Sequence, residues 1–169
     1  MTDMIKRSSD PYNAEPTPGA LIERFLTPQA LFYVRSHGPV PDLPANHRIE
    51  VSGTGMASRS FSVEELKATF STHSVTAVLQ CAGNRRTDLQ QVGKTSGDPW
   101  DVGAIGNAEW TGVRLADVLD AVGAPDASNL FVAFTGADEV DMEGKEALFG
   151  VSIAMDKARQ PDVLIAWAM

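Results

Sequence analysis

The run SVTAVLQ at residues 74–80 constrains the fold more than any other stretch of this sequence. It is β-branched and almost unbroken in apolar character, which is typical of a strand buried on both faces of a sheet. The run ends on Cys81, the only cysteine of the chain, and a glycine-rich segment over 81–112 follows at once. That segment reads as one long irregular loop, and long loops of compact domains are usually functional. The sequence therefore predicts a functional site at this strand end.

The remaining patterns predict a mixture of helices and strands. Ser62 and Glu65 have the spacing of a capping box, so we expect a helix that runs to about Phe70. Residues 113–123 place apolar side chains on one helical face, with Gly123 as the C-terminal cap. We expect further short helices over 20–25 and 152–159, a strand followed by a glycine turn over 47–55, and further strands over 129–136, 147–153 and 162–169. This mixture predicts the fold class α+β (mixed α/β).

Composition narrows the class of protein. The 169 residues carry 14 Lys+Arg against 22 Asp+Glu, a net charge of −8, and 43% are hydrophobic. This length and apolar fraction fit a folded domain, while the acidic balance argues against nucleic acid or an anionic membrane as a partner. No apolar run reaches the roughly 18 residues that cross a bilayer, so we expect a soluble protein without a membrane partner. A single cysteine and the lack of an export signal predict a cytoplasmic location, with a periplasmic one left open.

The chain is expected to have two parts. Residues 1–19 are rich in proline and poor in apolar side chains, which predicts an extended lead-in that docks on a surface. Residues 20–169 are expected to form an incomplete domain. The reason is that the chain stops in a strand-like apolar run on Trp167, Ala168 and Met169, whereas a domain normally closes on a polar tail.

Cys81 is the strongest candidate for chemistry. Arg85 and Arg86 follow it closely and would favour its thiolate, the form that acts as a nucleophile or as a ligand of a soft metal. The alternative is a buried cysteine that serves only as a small hydrophobic side chain. Arg35 and His37 form a second polar cluster, and together with the two arginines near Cys81 they indicate an anion pocket.

Other kinds of site find less support. The sequence has neither CxxC nor HxxxH spacing, and it has no phosphate-loop or dinucleotide fingerprint, so a structural zinc site or a nucleotide fold is not expected. A nucleophilic pair of Cys81 with His37 or His73 stays open, because the sequence does not give the geometry. A thiol enzyme without a metal is therefore retained as a weaker alternative.

Three segments point to a known family. LQCAGNRR (79–86), PWDVGAIGNAEWTGVRLADVL (99–119) and FYVRSHGPVP (32–41) closely resemble the molybdenum cofactor domain of the sulfite oxidase family, which includes plant nitrate reductases. The lead-in is also similar to the start of that domain, and the resemblance covers essentially the whole chain. It implies a sulfite-oxidase-type molybdopterin-binding fold, its N-terminal portion, with a molybdenum–molybdopterin cofactor.

The resemblance also implies roles for single residues. Cys81 would be the protein ligand of molybdenum, which agrees with the expectation of a soft thiolate ligand. Arg35 would reach the substrate and Trp100 would help to wall the pocket, which makes them the expected catalytic residues together with Cys81. Contacts to the cofactor would come from Tyr33, Val34, Arg35, Ser36, His37, Arg86 and Asp138.

The implied reaction is the oxidation of sulfite to sulfate by oxo transfer, which would place the protein in sulfur metabolism. The cofactor would supply the redox chemistry, and the protein would supply position and charge. No haem-binding segment is present in the sequence, so the partners would be sulfite or a similar small oxyanion and a separate electron acceptor. The family also allows a homodimer in the full-length protein.

The chain departs from the family pattern in three ways. Ser36 stands where the family often has Asn, and Phe149 stands where it commonly has Tyr. In addition, the family domain continues after a strand like residues 162–169 with segments that hold the pterin phosphate and complete the substrate pocket. We therefore keep a second hypothesis, a non-catalytic truncated fragment that needs a missing C-terminal half or a partner chain.

Overall fold

The computed structural model describes residues 3–141, 144 and 146–169. Within them the strands are β1 (Met4–Ser9), β2 (Tyr12–Pro16), β3 (Ile49–Val51), β4 (Arg59–Phe61), β5 (Thr72–Gln80), β6 (Ile105–Arg114), β7 (Phe131–Asp141), β8 (Glu146–Ala154) and β9 (Leu164–Ala168). The helices are α1 (Pro18–Leu21), α2 (Val63–Thr69), α3 (Arg86–Gln90), α4 (Leu115–Ala121) and α5 (Met155–Ala158), with a 3₁₀ turn at Gln29–Leu31. None of these described helices has the length and apolar content needed to cross a bilayer.

The strands pair in small sheets. β1 with β2, β3 with β4, and β7 with β8 form two-stranded sheets, and β5, β6 and β9 form a three-stranded sheet in that order. β6 and β9 are antiparallel, with Val113 opposite Ile165. Helices and mostly antiparallel strands together confirm the predicted α+β class.

Contacts divide the described chain into two compact units, of which one comprises Pro41–Val75, Trp110–Ala137 and Leu148–Met169. Helix α4 organises the core of this unit. Its two apolar clusters are Phe61, Leu66, Val113, Val118 and Val122, and Leu115, Leu119, Met155 and Ala158. The apolar face predicted over 113–123 is therefore confirmed, and Gly123 after the helix has a φ of 70°.

The capping box predicted for α2 is also present in this unit. The backbone N–H of Glu65 donates to Ser62 Oγ at 3.1 Å, and the backbone N–H of Ser62 donates to Glu65 Oε2 at 3.0 Å. Two donors at the helix start are thereby satisfied by one short sequence motif. The helix ends at Thr69, one residue before the predicted end.

The other unit comprises Met1–Val40, Thr76–Glu109 and Asp138–Ala147. Its buried apolar residues include Ala14, Phe32, Trp100, Ala104 and Ala108. The first residues of this unit form the β1–β2 hairpin, so the proline-rich lead-in is extended but paired. The division between a lead-in over 1–19 and a domain over 20–169 stays a prediction.

Strand β5 lies where it was predicted, but its burial was predicted wrongly. Val78 is 59% exposed and Leu79 is 49% exposed, on opposite faces of the strand. The exposure of both side chains shows that no described element covers either face of β5 at these two positions. An apolar run indicates that a strand favours burial, but it does not show whether another element packs over that strand.

The prediction of one irregular loop over 81–112 was also wrong. The segment contains α3 and most of β6. Gly106 and Gly112 look like turn residues in the sequence, but they are sites of close approach. A side chain at Gly106 would overlap the ring of Phe32, and one at Gly112 would overlap the backbone carbonyl of Ile165.

Several boundaries also moved. The helix expected over 20–25 begins earlier, at Pro18, because Thr17 Oγ1 accepts the backbone N–H of Ala20 at 3.4 Å and caps it. The helix expected over 152–159 is limited to α5, because strand β8 continues to Ala154. β3 lies within the strand and glycine turn expected over 47–55, and β7 extends beyond the strand expected over 129–136.

Candidate functional site

Cys81 follows β5 directly and begins a tight turn. Residues 81–87 are called the thiol turn. The backbone N–H of Cys81 donates to the carbonyl of Ala104 at 2.9 Å, and its own carbonyl accepts the N–H of Asn84 at 3.0 Å. The backbone N–H of Gly83 donates to Cys81 Sγ at 3.3 Å. The thiol is free and partly buried. A partly buried thiol with an amide donor at its sulfur can serve as a metal ligand or as a nucleophile.

The two arginines after Cys81 have different surroundings. Arg85 is in the left-handed region at φ 64°, and its exposed guanidinium pairs with Asp88 at 2.6 Å. Arg86 Nη1 donates to the carbonyl of Asp98 at 2.7 Å. Its guanidinium fills a space between Gly83 and Gly97, where a Cβ would lie within 2.6 and 2.8 Å of it. Arg86 thus braces the loop, and its contact with a cofactor stays a prediction.

The Arg35–His37 segment, which was the second cluster predicted from the sequence, is held by its own backbone and by Asn13. Arg35 Nη1 donates to the carbonyl of Ser36, and Arg35 Nη2 lies 3.2 Å from His37 Nδ1. Asn13 Oδ1 accepts the backbone N–H of Ser36 at 2.7 Å, and Asn13 Nδ2 donates to the carbonyl of Ser36 at 3.2 Å. Asn13 is only 2% exposed, and the sequence analysis did not identify it.

Tyr33 and Val34 connect this segment to the rest of the site. Val34 and Ala14 exchange two backbone hydrogen bonds, at 3.0 and 2.8 Å. Burial raises the pKa of Tyr33, and the nearby charge of a Cys81 thiolate raises that pKa further. This electrostatic interaction indicates that Tyr33 lies near Cys81, whereas the contact of Tyr33 with a cofactor stays a prediction.

Asp138 lies near His37. Partial burial and the charge of Arg35 lower the pKa of His37, whereas Asp98 and Asp138 act in the opposite direction. Gly38 also lies against β7, since a side chain there would overlap the carbonyl of Glu139. The structure thus brings Asp138 near the Arg35–His37 segment, which is about a hundred positions away in the sequence.

Trp100 is fully buried, with 0% exposure. The loop that starts at Trp100 is tied to the thiol turn, because the backbone N–H of Thr87 donates to the Trp100 carbonyl at 3.1 Å and that of Arg85 donates to the Asp101 carbonyl at 2.7 Å. Trp100 can therefore support a pocket wall from inside. Whether it contacts a substrate stays a prediction.

Two features of the described residues fit a polar cofactor that carries a metal. Asn84 Oδ1 and Trp100 Nε1 are buried atoms without a hydrogen-bond partner in the described structure, and such atoms are normally satisfied. Among the described residues, no three His, Cys, Asp or Glu side chains cluster as a metal site. A cofactor that brings its own metal ligands, as a dithiolene pterin does, would fit Cys81 as a single protein ligand.

Comparison with known proteins gives a consistent result. Residues 37–169 match the family profile of the oxidoreductase molybdopterin binding domain. The sulfite oxidase of Gallus gallus is 44% identical over 96% of this chain and 36% of its own length. The sulfite oxidase of Arabidopsis thaliana is 40% identical over 96% of this chain and 43% of its own length. The mitochondrial sulfite oxidase of Drosophila melanogaster is 41% identical over 96% of this chain and 28% of its own length.

A solved structure is similar as well. The sulfane dehydrogenase SoxCD of Paracoccus pantotrophus matches with a TM-score of 0.72 and 26% identity, over 95% of this chain and 39% of that chain. Our chain thus spans less than half the length of these similar proteins. The comparisons confirm the predicted family, the molybdopterin-binding fold and the molybdenum cofactor of a family of oxidoreductases.

Proposed function

Because the chain belongs to the family of oxidoreductase molybdopterin-binding domains, we propose that it forms part of a molybdoenzyme that oxidises sulfite to sulfate, with Cys81 as the protein ligand of molybdenum. The observation that carries the proposal is the thiol turn. It offers one partly buried soft ligand with an amide donor at its sulfur, beside buried polar atoms that have no partner in the described structure.

The residues around the thiol turn have different roles in this proposal. When bound, the cofactor supplies two-electron redox chemistry and oxygen-atom transfer. Arg35 provides a planar, permanently charged fork that binds and orients the sulfite oxygens. His37 adds a donor beside that fork, and the partial burial that lowers its pKa keeps the ring neutral near pH 7. The role of Cys81 is to hold the metal at a fixed position relative to this anion site.

The contacts to the cofactor follow from the same arrangement. Tyr33 lies beside the thiol turn, Asp138 lies near His37, and Val34, Ser36 and Arg86 shape the two segments that carry Arg35 and Cys81. These residues would hold the pterin, and Trp100 would support them from inside. We further propose that electrons pass to a separate acceptor, and that the full-length protein can form a homodimer and acts in sulfur metabolism in the cytoplasm or the periplasm.

One observation favours the second hypothesis, a fragment that is not catalytic alone. Large apolar side chains are exposed on β5, β7 and β8, and among them Val78 is 59% exposed, Leu148 53% and Phe131 67%. Exposed apolar strands of this kind need a covering partner. In this hypothesis the chain belongs to the same family, but turnover requires further residues or another chain.

The experiment is a sulfite-dependent reduction of an artificial electron acceptor, with molybdenum and pterin content measured on the same samples. We expect Arg35→Gln to raise the KM for sulfite about tenfold or more, since it removes a charge-assisted hydrogen bond to the anion. Arg48→Gln is the matched control, because Arg48 pairs with Glu65 on an exposed surface away from Cys81 in the sequence. It should leave KM unchanged.

Three outcomes separate the hypotheses. A higher KM in Arg35→Gln at unchanged pterin content supports the substrate role of Arg35. An equal loss of bound pterin would show that Arg35 is a cofactor or structural residue instead. If the wild-type protein holds molybdenum but does not oxidise sulfite, the fragment hypothesis is preferred.

A further inference from the structure

Strand β2 carries a carboxylate that the proposed chemistry does not use. Glu15 is 0% exposed, although an isolated buried carboxylate is strongly unfavourable. Its two oxygens accept backbone donors from a distant loop. The N–H of Asp101 donates to Oε1 at 2.8 Å, and the N–H of Gly103 donates to Oε2 at 2.8 Å. The carboxylate therefore spans two alternate amides of one loop and fixes its conformation.

Arg7 compensates the buried charge. Its Nε lies 2.5 Å from Glu15 Oε1, and its Nη2 lies 2.5 Å from Asp101 Oδ2. The guanidinium thus bridges β2 to the same loop that Glu15 binds. Burial alone would lower the pKa of Arg7, but the hydrogen bonds to Asp101 and Glu15 outweigh it and raise that pKa.

The loop held by Glu15 in turn holds the thiol turn at three points. The carbonyl of Trp100 accepts the N–H of Thr87, that of Asp101 accepts the N–H of Arg85, and that of Ala104 accepts the N–H of Cys81. The side chain of Thr87 adds a hydrogen bond to Asp101 Oδ1 at 2.5 Å. Cys81 and the residues that follow it are therefore anchored on the loop 100–104.

We propose that Glu15 is a positioning residue, which locks the loop 100–104 and through it sets the orientation of the Cys81 thiol. The geometry also explains the residue type at position 103. A side chain there would overlap the carbonyl of Pro16, so only glycine allows β2 to approach this closely. The consequence for metal loading rests on the proposed function, whereas the locking of the turn does not.

The test compares Glu15→Gln with a destabilising control. Glutamine has nearly the same shape but one acceptor oxygen, so its amide N–H₂ would face Arg7 or a backbone donor. Leu66→Ala is the control, because Leu66 is 1% exposed in the other unit and its loss destabilises without touching the loop. Arg7→Lys is a milder variant, since a single ammonium cannot bridge Glu15 and Asp101 as the fork does.

The readout is native-state hydrogen exchange at the backbone amides of Cys81, Arg85 and Thr87, with molybdenum content measured in parallel. In Glu15→Gln, we expect the exchange rate at these three amides to rise about tenfold or more relative to the change at the Leu66 amide of the same variant. The reason is that the loop loses hydrogen bonds to a charged carboxylate. Leu66→Ala should change all amides only in proportion to its lower stability. If Glu15→Gln does not fold, Arg7→Lys should show a smaller selective increase at Arg85.

Two results would overturn the proposal. One is exchange at the three amides that rises in Glu15→Gln only as far as its global stability falls, as in Leu66→Ala, because Glu15 would then be merely structural. The other is wild-type exchange at the three amides in both Glu15→Gln and Arg7→Lys. A selective effect in a protein that binds no molybdenum supports the positioning role and contradicts the proposed function, so the two failures are distinguishable.

Discussion

Replacing Asn13 with alanine tests how the Arg35–His37 segment is held in place. Asn13 is 2% exposed and makes three hydrogen bonds of good length. Its Oδ1 accepts the N–H of Ser36 at 2.7 Å, and its Nδ2 donates to the carbonyls of Ser36 and Pro11, each at 3.2 Å. The contact of Asn13 Oδ1 with Arg35 Nη1 is longer, at 3.5 Å, and contributes little to stability.

The size of the effect follows from these bonds. Each neutral hydrogen bond contributes about 1 kcal/mol net, and a donor left without a partner in a partly buried site costs about 1 kcal/mol or more. We therefore expect Asn13→Ala to lower the free energy of unfolding by about 2–4 kcal/mol. The Ser36 amide loses its acceptor, so Arg35 should also lose its fixed position and the KM for sulfite should rise.

The assay is urea unfolding of wild type, Asn13→Ala and the control Asn107→Ala. Asn107 makes one side-chain hydrogen bond, to the carbonyl of Phe25 at 3.0 Å on the exposed surface. Its loss should cost about 0.5 kcal/mol or less. Equal stabilities of the two variants would refute the argument that buried Asn13 organises this segment.

Three further predictions concern stability. The hydrogen bond from Thr87 and the charge of Arg7 hold the pKa of Asp101 below its ordinary value of 3.8, so Asp101 stabilises the fold above that value and this contribution is lost as the pH falls through the lower folded pKa. In Asp101→Asn, the free energy of unfolding should therefore fall less steeply as the pH is lowered in the acid range. An unchanged dependence on acid pH would contradict this assignment. Ser62→Ala should cost about 1 kcal/mol in thermal or urea unfolding, because it removes a helix cap; a change near zero would mean that water replaces the cap. Val78→Lys should leave unfolding within about 0.5 kcal/mol and reduce self-association in light scattering, since Val78 is exposed on an edge strand.

Local signals in the sequence predicted the local parts of the structure. The capping box at Ser62, the apolar face around Val118 and the end of β5 at Cys81 were all identified. Each of these depends on residues within a few positions of one another, so periodicity and turn chemistry suffice to find them. The family resemblance predicted the molybdenum cofactor, and the comparisons confirmed that prediction.

The supports of the site were missed because their partners are distant in the sequence. Glu15 accepts hydrogen bonds from Asp101 and Gly103, which lie 86 and 88 positions later in the sequence. Asn13 is hydrogen-bonded to Ser36, which lies 23 positions later. An asparagine and a glutamate in a proline-rich segment look like surface residues until the fold buries them. Their alternation in PYNAEP is consistent with one face of a strand, but no local rule names the loops that this face binds.

The same limit explains the wrong burial of β5. An apolar run shows that a strand favours burial, and it contains no information on whether a covering element is present. The glycine-rich segment 81–112 was wrongly predicted to be one loop for a related reason. At Gly106 the absence of a side chain makes room for Phe32 in the interior of a strand, whereas a local reading assigns glycine to turns.

The most direct test of the central claim is the molybdenum content of Cys81→Ser beside wild type, both purified from a host that makes the cofactor. The hydroxyl of serine is a harder, less polarisable donor than the thiolate that the site offers. We predict about one molybdenum per wild-type chain and at least a tenfold lower content in Cys81→Ser, with unchanged urea unfolding of the two proteins. Equal molybdenum content in the two proteins would contradict the assignment of Cys81 as the ligand.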